Sequence, residues 1–235
     1  MSPFLLFDSR YLLFMLPAFV IMLAAQWYVS STYNKWSRHP SYKKITGKEA
    51  GEHLKRVGQL YDVEIQGVSG NLTDHYDPRK KILRLSQGVY KGNSIASLAI
   101  TAHELGHALQ DQDDYTPLRF RSMLVPAVNI GSYLGWILIL IGIFLRMTNL
   151  AWLGVFAFSG GLIFSLATIP VELNASSRAK RLLTHSGLIV SEEDKRGVNA
   201  VLNAAAFTYV AAVFAAAMQL LYWVSLVGGL GGRRR

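Results

Sequence analysis

Four long runs without a charged residue constrain the fold of this chain more than any other feature of its sequence. They comprise residues 11–29, 124–145, 150–169 and 204–227. A helix of about 20 apolar residues crosses the hydrocarbon core of a bilayer, and a helix satisfies its own backbone polar groups inside lipid. The sequence therefore predicts about four transmembrane helices.

The composition agrees with this prediction. Of the 235 residues, 51% are hydrophobic and 17% are charged, whereas soluble domains carry about 25% charged residues. This argues against a disordered chain and an ordinary cytosolic enzyme. The absence of cysteine excludes disulfides, a thiol nucleophile and cysteine-ligated metal sites.

The first apolar run could be either a transmembrane anchor or the apolar region of a cleaved signal peptide. The run is longer than the apolar region of a usual signal peptide, and no A-x-A cleavage site follows it. Asp8 and Arg10 leave the segment before it nearly neutral. A transmembrane anchor over residues 1–30 is therefore the favoured interpretation.

Basic residues on the flanks of the runs predict the orientation in the membrane. Lysine and arginine concentrate in cytoplasmic loops, which here places residues 31–123 and 170–200 in the cytoplasm. Residues 146–149 can form only a tight turn, so 124–169 is predicted to be a transmembrane helical hairpin. Residues 201–235 are predicted to form a last transmembrane helix and a basic tail. A fourth crossing leaves this tail outside, whereas its three arginines favour the cytoplasm. Either the other loops outweigh the tail, or the last helix does not fully cross. The basic flanking residues are Lys35, Arg38, Lys43, Lys44, Lys48, Arg119, Arg121, Arg178, Lys180 and Arg181.

The charge pattern disfavours two classes of function. No ionisable residue lies inside the four runs, which argues against an ion channel or a proton-coupled transporter. The net charge is +9, but residues 31–123 carry 14 basic and 10 acidic residues without a continuous basic stripe, so we expect no nucleic-acid partner. The lipid bilayer is the partner that this composition indicates.

The predicted cytoplasmic part combines helices with a short sheet. Residues 47–60 have apolar residues at helical spacing, and residues 95–111 follow an N-cap at Ser94. Residues 63–68 alternate as a strand, and residues 72–77 and 81–86 flank a turn at Asp77 and Pro78. This part therefore predicts an α+β domain.

The sequence His103-Glu104-Leu105-Gly106-His107 matches the metal-binding pattern H-E-x-x-H. Histidines four residues apart lie one turn apart on a helix, so His103 and His107 can direct ring nitrogens at one metal ion. Glu104 can then reach a metal-bound water without being a ligand. This pattern is typical of zinc metallopeptidases.

A catalytic zinc site needs a third protein ligand besides the two histidines. No third histidine follows at close spacing, so a glutamate elsewhere in the chain is expected to complete the site. Glu172 stands among small residues just after the third apolar run and is a good candidate, although it could be an ordinary interfacial charge. The other glutamates outside the motif are Glu49, Glu52, Glu64, Glu192 and Glu193.

Residues 74–78 (DHYDP), 103–110 (HELGHALQ) and 172–179 (ELNASSRA) resemble the YugP-like family of membrane-bound neutral zinc metallopeptidases. The resemblance covers nearly the whole chain and implies that His103, His107 and Glu172 bind zinc and that Glu104 is the general base. A more distant similarity is to integral-membrane zinc proteases whose H-E-x-x-H helix is completed by a downstream glutamate. Those proteases often have an acidic residue shortly after the third ligand, where this chain has Asn174.

The predicted fold is an α+β membrane protein with a small cytoplasmic zincin-like, gluzincin-like metallopeptidase domain. The predicted function is peptide-bond hydrolysis by a zinc-activated water at the cytoplasmic surface of the cell membrane, on polypeptide substrates that include membrane proteins. Of four candidates for the oxyanion stabiliser (His75, Tyr76, Arg178 and His185), Arg178 is favoured. His75 and Tyr76 are expected to shape a strand edge that could bind an extended substrate.

The alternative function is a non-catalytic membrane scaffold or adaptor in which zinc merely stabilises the fold. Glu104 argues against it, because a structural zinc site does not need a carboxylate beside its ligands. Other divalent ions also bind such a ligand set, so Zn²⁺ is the expected metal on the strength of the motif.

Overall fold

The computed structural model describes residues 9–231, with side chains described up to Gly229. The first eight residues of the predicted anchor and residues 232–235 of the basic tail lie outside the described part. Within it the chain forms eight helices and three strands. They are α1 Ser9–Trp36, α2 Gly47–Val57, β1 Glu64–Val68, β2 His75–Asp77, β3 Ile82–Ser86, α3 Gln87–Tyr90, α4 Ile95–Gln112, α5 Thr116–Phe144, α6 Thr148–Phe158, α7 Gly160–His185 and α8 Glu192–Gly231.

Four helical stretches are long and apolar enough to cross a membrane, as predicted. They are α1, α5, the stretch Thr148–His185 that comprises α6 and α7, and α8. All four extend further than the uncharged runs indicated, and the last two extend furthest. Helix α7 continues beyond Ile169 through Pro170 to His185, and α8 begins at Glu192. The residues that follow the third apolar run are therefore helical.

The described residues up to Gln26, Arg119–Ile169 and those from Thr208 onward form one compact unit. Glycines let α5 and α6 pack backbone to backbone within it, because a Cβ at Gly142 or Gly154 would overlap the facing helix. Small residues at such contacts are typical of helix pairs in membranes, where close approach provides the packing energy. The two arms of the predicted hairpin thus pack closely.

Residues Trp27–Leu118 and Pro170–Phe207 form the second compact unit. Its sheet has the strand order β1-β3-β2, with β1 parallel and β2 antiparallel to β3. The predicted strand–turn–strand over 72–86 is present, although β2 keeps only three paired residues. Strand β2 consequently lies at an edge of the sheet.

Helix α4 lies at the centre of the core of this second unit. The Ser94 side chain caps it by accepting a hydrogen bond from the Ser97 N–H at 3.1 Å. Leu98, Ala102 and Leu105 on α4 are buried in one apolar cluster, which includes residues of α2 and of the sheet. Because a packed core tolerates little displacement, α4 holds the side chains of its other face in fixed positions.

Candidate metal centre

Three potential metal ligands converge in the second unit. His103 and His107 project from α4 and Glu172 projects from α7, and their ligand atoms all lie within 4.8 Å of one another. The Glu172 Oε2 atom lies 3.3 Å from His103 Nε2 and 3.5 Å from His107 Nε2. Glu172 is 3% exposed, and the side chains of His103 and His107 are 12% and 15% exposed. Two imidazole nitrogens and a carboxylate oxygen are donors that zinc prefers, and the residues therefore fit that metal.

The approach of α4 to α7 depends on Gly106, which lies between the two histidines. A Cβ at Gly106 would overlap the backbone carbonyl oxygen of Ala175, three residues after Glu172. A backbone atom cannot rotate aside as a side chain can, so only glycine permits this distance. The glycine of the motif therefore lets Glu172, the third candidate ligand, approach the two histidines.

Both histidine rings are held by hydrogen bonds at Nδ1, which leaves Nε2 directed at Glu172. His103 Nδ1 lies 3.2 Å from the Ser176 hydroxyl, and His107 Nδ1 lies 3.0 Å from Gln110 Oε1. Ligand histidines commonly have such a partner, which fixes ring orientation and tautomer. Ser176 and Gln110 are thus the groups that orient the candidate ligands.

The local charges favour a cation at His107. Burial by itself lowers the pKa of His107, but a hydrogen bond with Glu172 and the negative charge of Glu104 more than offset it. The net effect raises the pKa of His107 above its ordinary value of 6.5. The same carboxylates that favour a proton here also favour a bound metal cation.

Glu104 is hydrogen-bonded to the edge strand. Its Oε2 atom accepts a hydrogen bond from the Tyr76 backbone N–H at 3.0 Å. The Tyr76 hydroxyl in turn donates to Asp111 Oδ2 at 2.9 Å, and Lys81 Nζ lies 2.7 Å from the same oxygen. Strand β2 is therefore attached to α4 beside Glu104 and again near the end of the helix.

A second carboxyl group lies near Glu104. Asp74 accepts hydrogen bonds from the Ser86 N–H at 2.7 Å and from the Ser86 hydroxyl at 3.1 Å. Burial raises the pKa of Asp74, and repulsion from Glu104 adds to the increase, while the bonds from Ser86 oppose it. The loop before β2 is thus anchored to the end of β3.

Arg178 lies on α7 and contacts the C-terminal part of α4. Its Nε donates to Asn174 Oδ1 at 2.8 Å, its Nη1 donates to the Leu109 carbonyl at 3.2 Å, and it forms an ion pair with Asp113. None of these contacts is with the three candidate ligands. Its role as oxyanion stabiliser therefore stays a prediction.

The sequence predicted the three candidate ligands and Glu104, but it did not predict the hydrogen-bond partners of the two histidines. Gln110 follows His107 by three residues, and Ser176 follows Glu172 by four, so each lies one helical turn from a candidate ligand. This spacing was the one feature of the sequence that could have indicated Gln110 and Ser176 as partners. It could not show which polar residue would face which ring, because this depends on how α4 and α7 pack.

The chain is similar to known proteins over most of its length. Residues 11–228 match the family described as "Putative neutral zinc metallopeptidase". The chain therefore belongs to this family of zinc metallopeptidases, and the predicted resemblance is confirmed.

A relative from Bacillus subtilis (strain 168), named "Putative membrane protease YugP", is 43% identical over 209 residues. The alignment covers 89% of this chain and 92% of the relative. No solved structure matches the chain. With its four apolar helices, the chain is a membrane protein of the zinc metallopeptidase class.

Proposed function

We propose that this protein is a membrane-embedded zinc metalloendopeptidase of the gluzincin type. The observation that carries the proposal is the convergence of His103, His107 and Glu172 within 4.8 Å, with Glu104 adjacent to the first ligand. A purely structural metal site would not need Glu104, whose carboxylate is held by the Tyr76 N–H. The carboxylate is thus available to act on a water molecule.

Each residue has a distinct role in the proposed reaction. His103, His107 and Glu172 hold the zinc, which when bound lowers the pKa of a water molecule and polarises the scissile carbonyl. Glu104 accepts a proton from the water as the new C–O bond forms, and it delivers this proton to the leaving amine as the C–N bond breaks. The Tyr76 N–H keeps the Glu104 carboxylate in place during both transfers.

The position of β2 supports an extended polypeptide as the substrate. Strand β2 is an edge strand, and its Tyr76 N–H contacts Glu104. An extended peptide can add to such an edge through backbone hydrogen bonds. Since β2 lies beside the general base, an added strand would place a peptide bond near the metal.

The spacing along the chain supports a site at the cytoplasmic membrane surface. Glu172 follows the third apolar run by three residues, and α4 ends about a dozen residues before the second run begins. The basic flanks support a cytoplasmic location for both segments. The proposed substrates are therefore juxtamembrane segments of membrane proteins and loosely folded cytoplasmic chains.

The function is tested first by the zinc content of detergent-purified protein, measured by mass spectrometry. We expect about one zinc per wild-type chain, and loss of it in both His107→Ala and Glu172→Ala. Glu193→Gln, which changes an exposed glutamate, serves as the control and keeps the zinc. Zinc lost only in His107→Ala would reject Glu172 as a ligand, and a wild type that binds no zinc would reject the proposed function.

Membrane orientation has a separate test, since the chain has no cysteine of its own. Single cysteines are introduced at Tyr61, which is 76% exposed, and at Met147, which is 52% exposed between α5 and α6. In intact cells an impermeant maleimide should label Met147→Cys but not Tyr61→Cys. The reverse pattern would place the proposed site outside the cell.

A further inference from the structure

A buried, uncharged amide lies behind the second histidine of the site. Gln110 is fully buried, and its Oε1 lies 3.0 Å from His107 Nδ1. Its Nε2 donates to the Val171 carbonyl at 2.7 Å and to Asn174 Oδ1 at 3.0 Å. All polar atoms of the Gln110 side chain therefore have partners, in a position where an unsatisfied amide would cost stability.

Two groups of fixed polarity determine the direction of these hydrogen bonds. A backbone carbonyl can only accept, so the Gln110 atom that faces Val171 O is the NH₂ group. A guanidinium can only donate, so Asn174 presents its Oδ1 to Arg178 Nε. That oxygen also accepts the second proton of Gln110 Nε2. The Val171 carbonyl and the Arg178 guanidinium therefore determine the orientation of both side-chain amides, those of Gln110 and Asn174.

The direction of the bonds sets the tautomer of His107. With its NH₂ group bound to Val171 and Asn174, Gln110 can present only its oxygen to the histidine ring. An oxygen acceptor requires a proton on His107 Nδ1, and a neutral ring then carries its lone pair on Nε2. The Nε2 atom is the one that faces Glu172.

We propose that Gln110 is a positioning residue that holds His107 with the Nε2 lone pair toward the metal, and that Asn174 and Arg178 hold Gln110 in the orientation this requires. The inference rests on the proposed metal site and deepens it. It assigns Arg178 a place at the far end of the hydrogen-bonded chain, in agreement with its contacts to Asn174 and Asp113. It also gives Asn174 a role, because its Oδ1 accepts from both Gln110 and Arg178.

An amide suits position 110 better than a carboxylate would. An ionised carboxylate could accept the His107 proton, but it could not donate to Val171 O or to Asn174 Oδ1. Gln110 combines one acceptor for the ring with two donors for α7. The same side chain therefore orients the ligand and joins the two helices that carry the site.

The test measures zinc affinity by competition with a chelator on the full-length protein in detergent. Gln110→Met keeps an unbranched side chain and removes every hydrogen bond, and we expect zinc to bind about 10- to 100-fold more weakly. The ligand-field spectrum of the Co²⁺-loaded variant should also change, because the ring is no longer held in one orientation. Gln112→Met, at an exposed position of the same helix, is the matched control and should keep wild-type affinity and spectrum.

A conservative replacement of Gln110 distinguishes a role in orienting His107 from a role in packing alone. Gln110→Glu restores an oxygen that can accept from His107 Nδ1, so zinc affinity should recover most of the way while thermal stability falls. Equal loss of affinity in the Met and Glu variants would overturn the proposal, and so would an unchanged affinity in Gln110→Met.

A second variant carries the test if Gln110→Met cannot be purified. Asn174→Leu removes the oxygen that accepts from both Gln110 and Arg178, and we expect zinc affinity to fall about tenfold, at the lower end of the usual range for such partners. Unchanged affinity in this variant would overturn the proposal. A wild type that binds no zinc at all would instead reject the proposed function.

Discussion

The backbone of Gly106 lies directly against the carbonyl oxygen of Ala175. Any Cβ at this position would overlap that oxygen, so α4 and α7 would have to separate. We expect Gly106→Ala to lower the free energy of unfolding by about 1–3 kcal/mol, as overpacked cores generally do. It should also weaken zinc binding more than tenfold, because Glu172 would move away from the histidines.

Gly161→Ala is the matched control, since Gly161 lies on α7, the helix that carries Glu172, and a Cβ there would meet its nearest atom at an ordinary 3.7 Å. Thermal unfolding and chelator competition measure the two effects. If Gly106→Ala bound zinc as tightly as wild type, the close contact between Gly106 and the Ala175 carbonyl would not be needed for metal binding.

Glu104→Gln should separate catalysis from metal binding. A glutamine keeps an oxygen that can accept the Tyr76 N–H, but it cannot take up a proton from water. We expect the rate of peptide hydrolysis to fall by about 10²- to 10⁴-fold, with zinc content unchanged. Cleavage of an unfolded protein or a fluorogenic peptide library measures the rate, and Glu193→Gln serves as the control. A fully active Glu104→Gln variant would reject the proposed general base.

The stability of the metal-free protein should depend on the protonation of His107. The pKa of His107 is raised in the folded state, so the stabilisation it provides is complete below its unfolded value of 6.5. This stabilisation is lost as the pH rises through the folded-state pKa. We therefore expect the Tm of the metal-free protein to fall as the pH rises above 6.5.

The stabilisation that zinc provides should depend on pH in the opposite way, because zinc binds the neutral imidazole. The increase in Tm that zinc produces should grow over the same pH range. Glu172→Gln removes a carboxylate that raises the pKa of His107, so its metal-free Tm should vary less with pH than that of wild type. Identical pH profiles for the two proteins would contradict this assignment.

The hydroxyl of Tyr76 should matter for stability and for substrate binding. Tyr76→Phe removes its hydrogen bond to Asp111, and a bond to a charged group contributes about 1.5–3 kcal/mol. We expect a loss of stability of that order and a higher KM for extended peptides, because β2 would be less firmly attached to α4. Zinc content should stay the same. Tyr61→Phe, at an exposed position, is the control, and an unchanged Tm in Tyr76→Phe would contradict the prediction.

The sequence predicted the parts of the fold that depend on local pattern. The uncharged runs predicted the four apolar helices, and the turn at Asp77 and Pro78 predicted the pairing of β2 with β3. The spacing of His103 and His107 predicted that they share one helical face. In each case the signal lies within a few residues of the structure that it specifies.

The parts that the sequence did not predict depend on contacts between distant segments. The parallel pairing of β1 with β3 skips a strand, and no local pattern encodes it. The bonds from Gln110 to His107 and from Ser176 to His103 require the close approach of α4 and α7. Arg178 could be placed on the helix of Glu172, but its contact with Asp113 required the structure.

The second unit is built from two stretches of chain, Trp27–Leu118 and Pro170–Phe207, and the third candidate ligand, Glu172, lies in the later stretch. During synthesis the histidines emerge first, and the whole apolar hairpin must follow before Glu172 is made. A nascent or truncated chain that ends within the hairpin therefore carries only two of the three ligands. The chain order thus delays assembly of the candidate metal centre until the apolar hairpin before Glu172 has been synthesised.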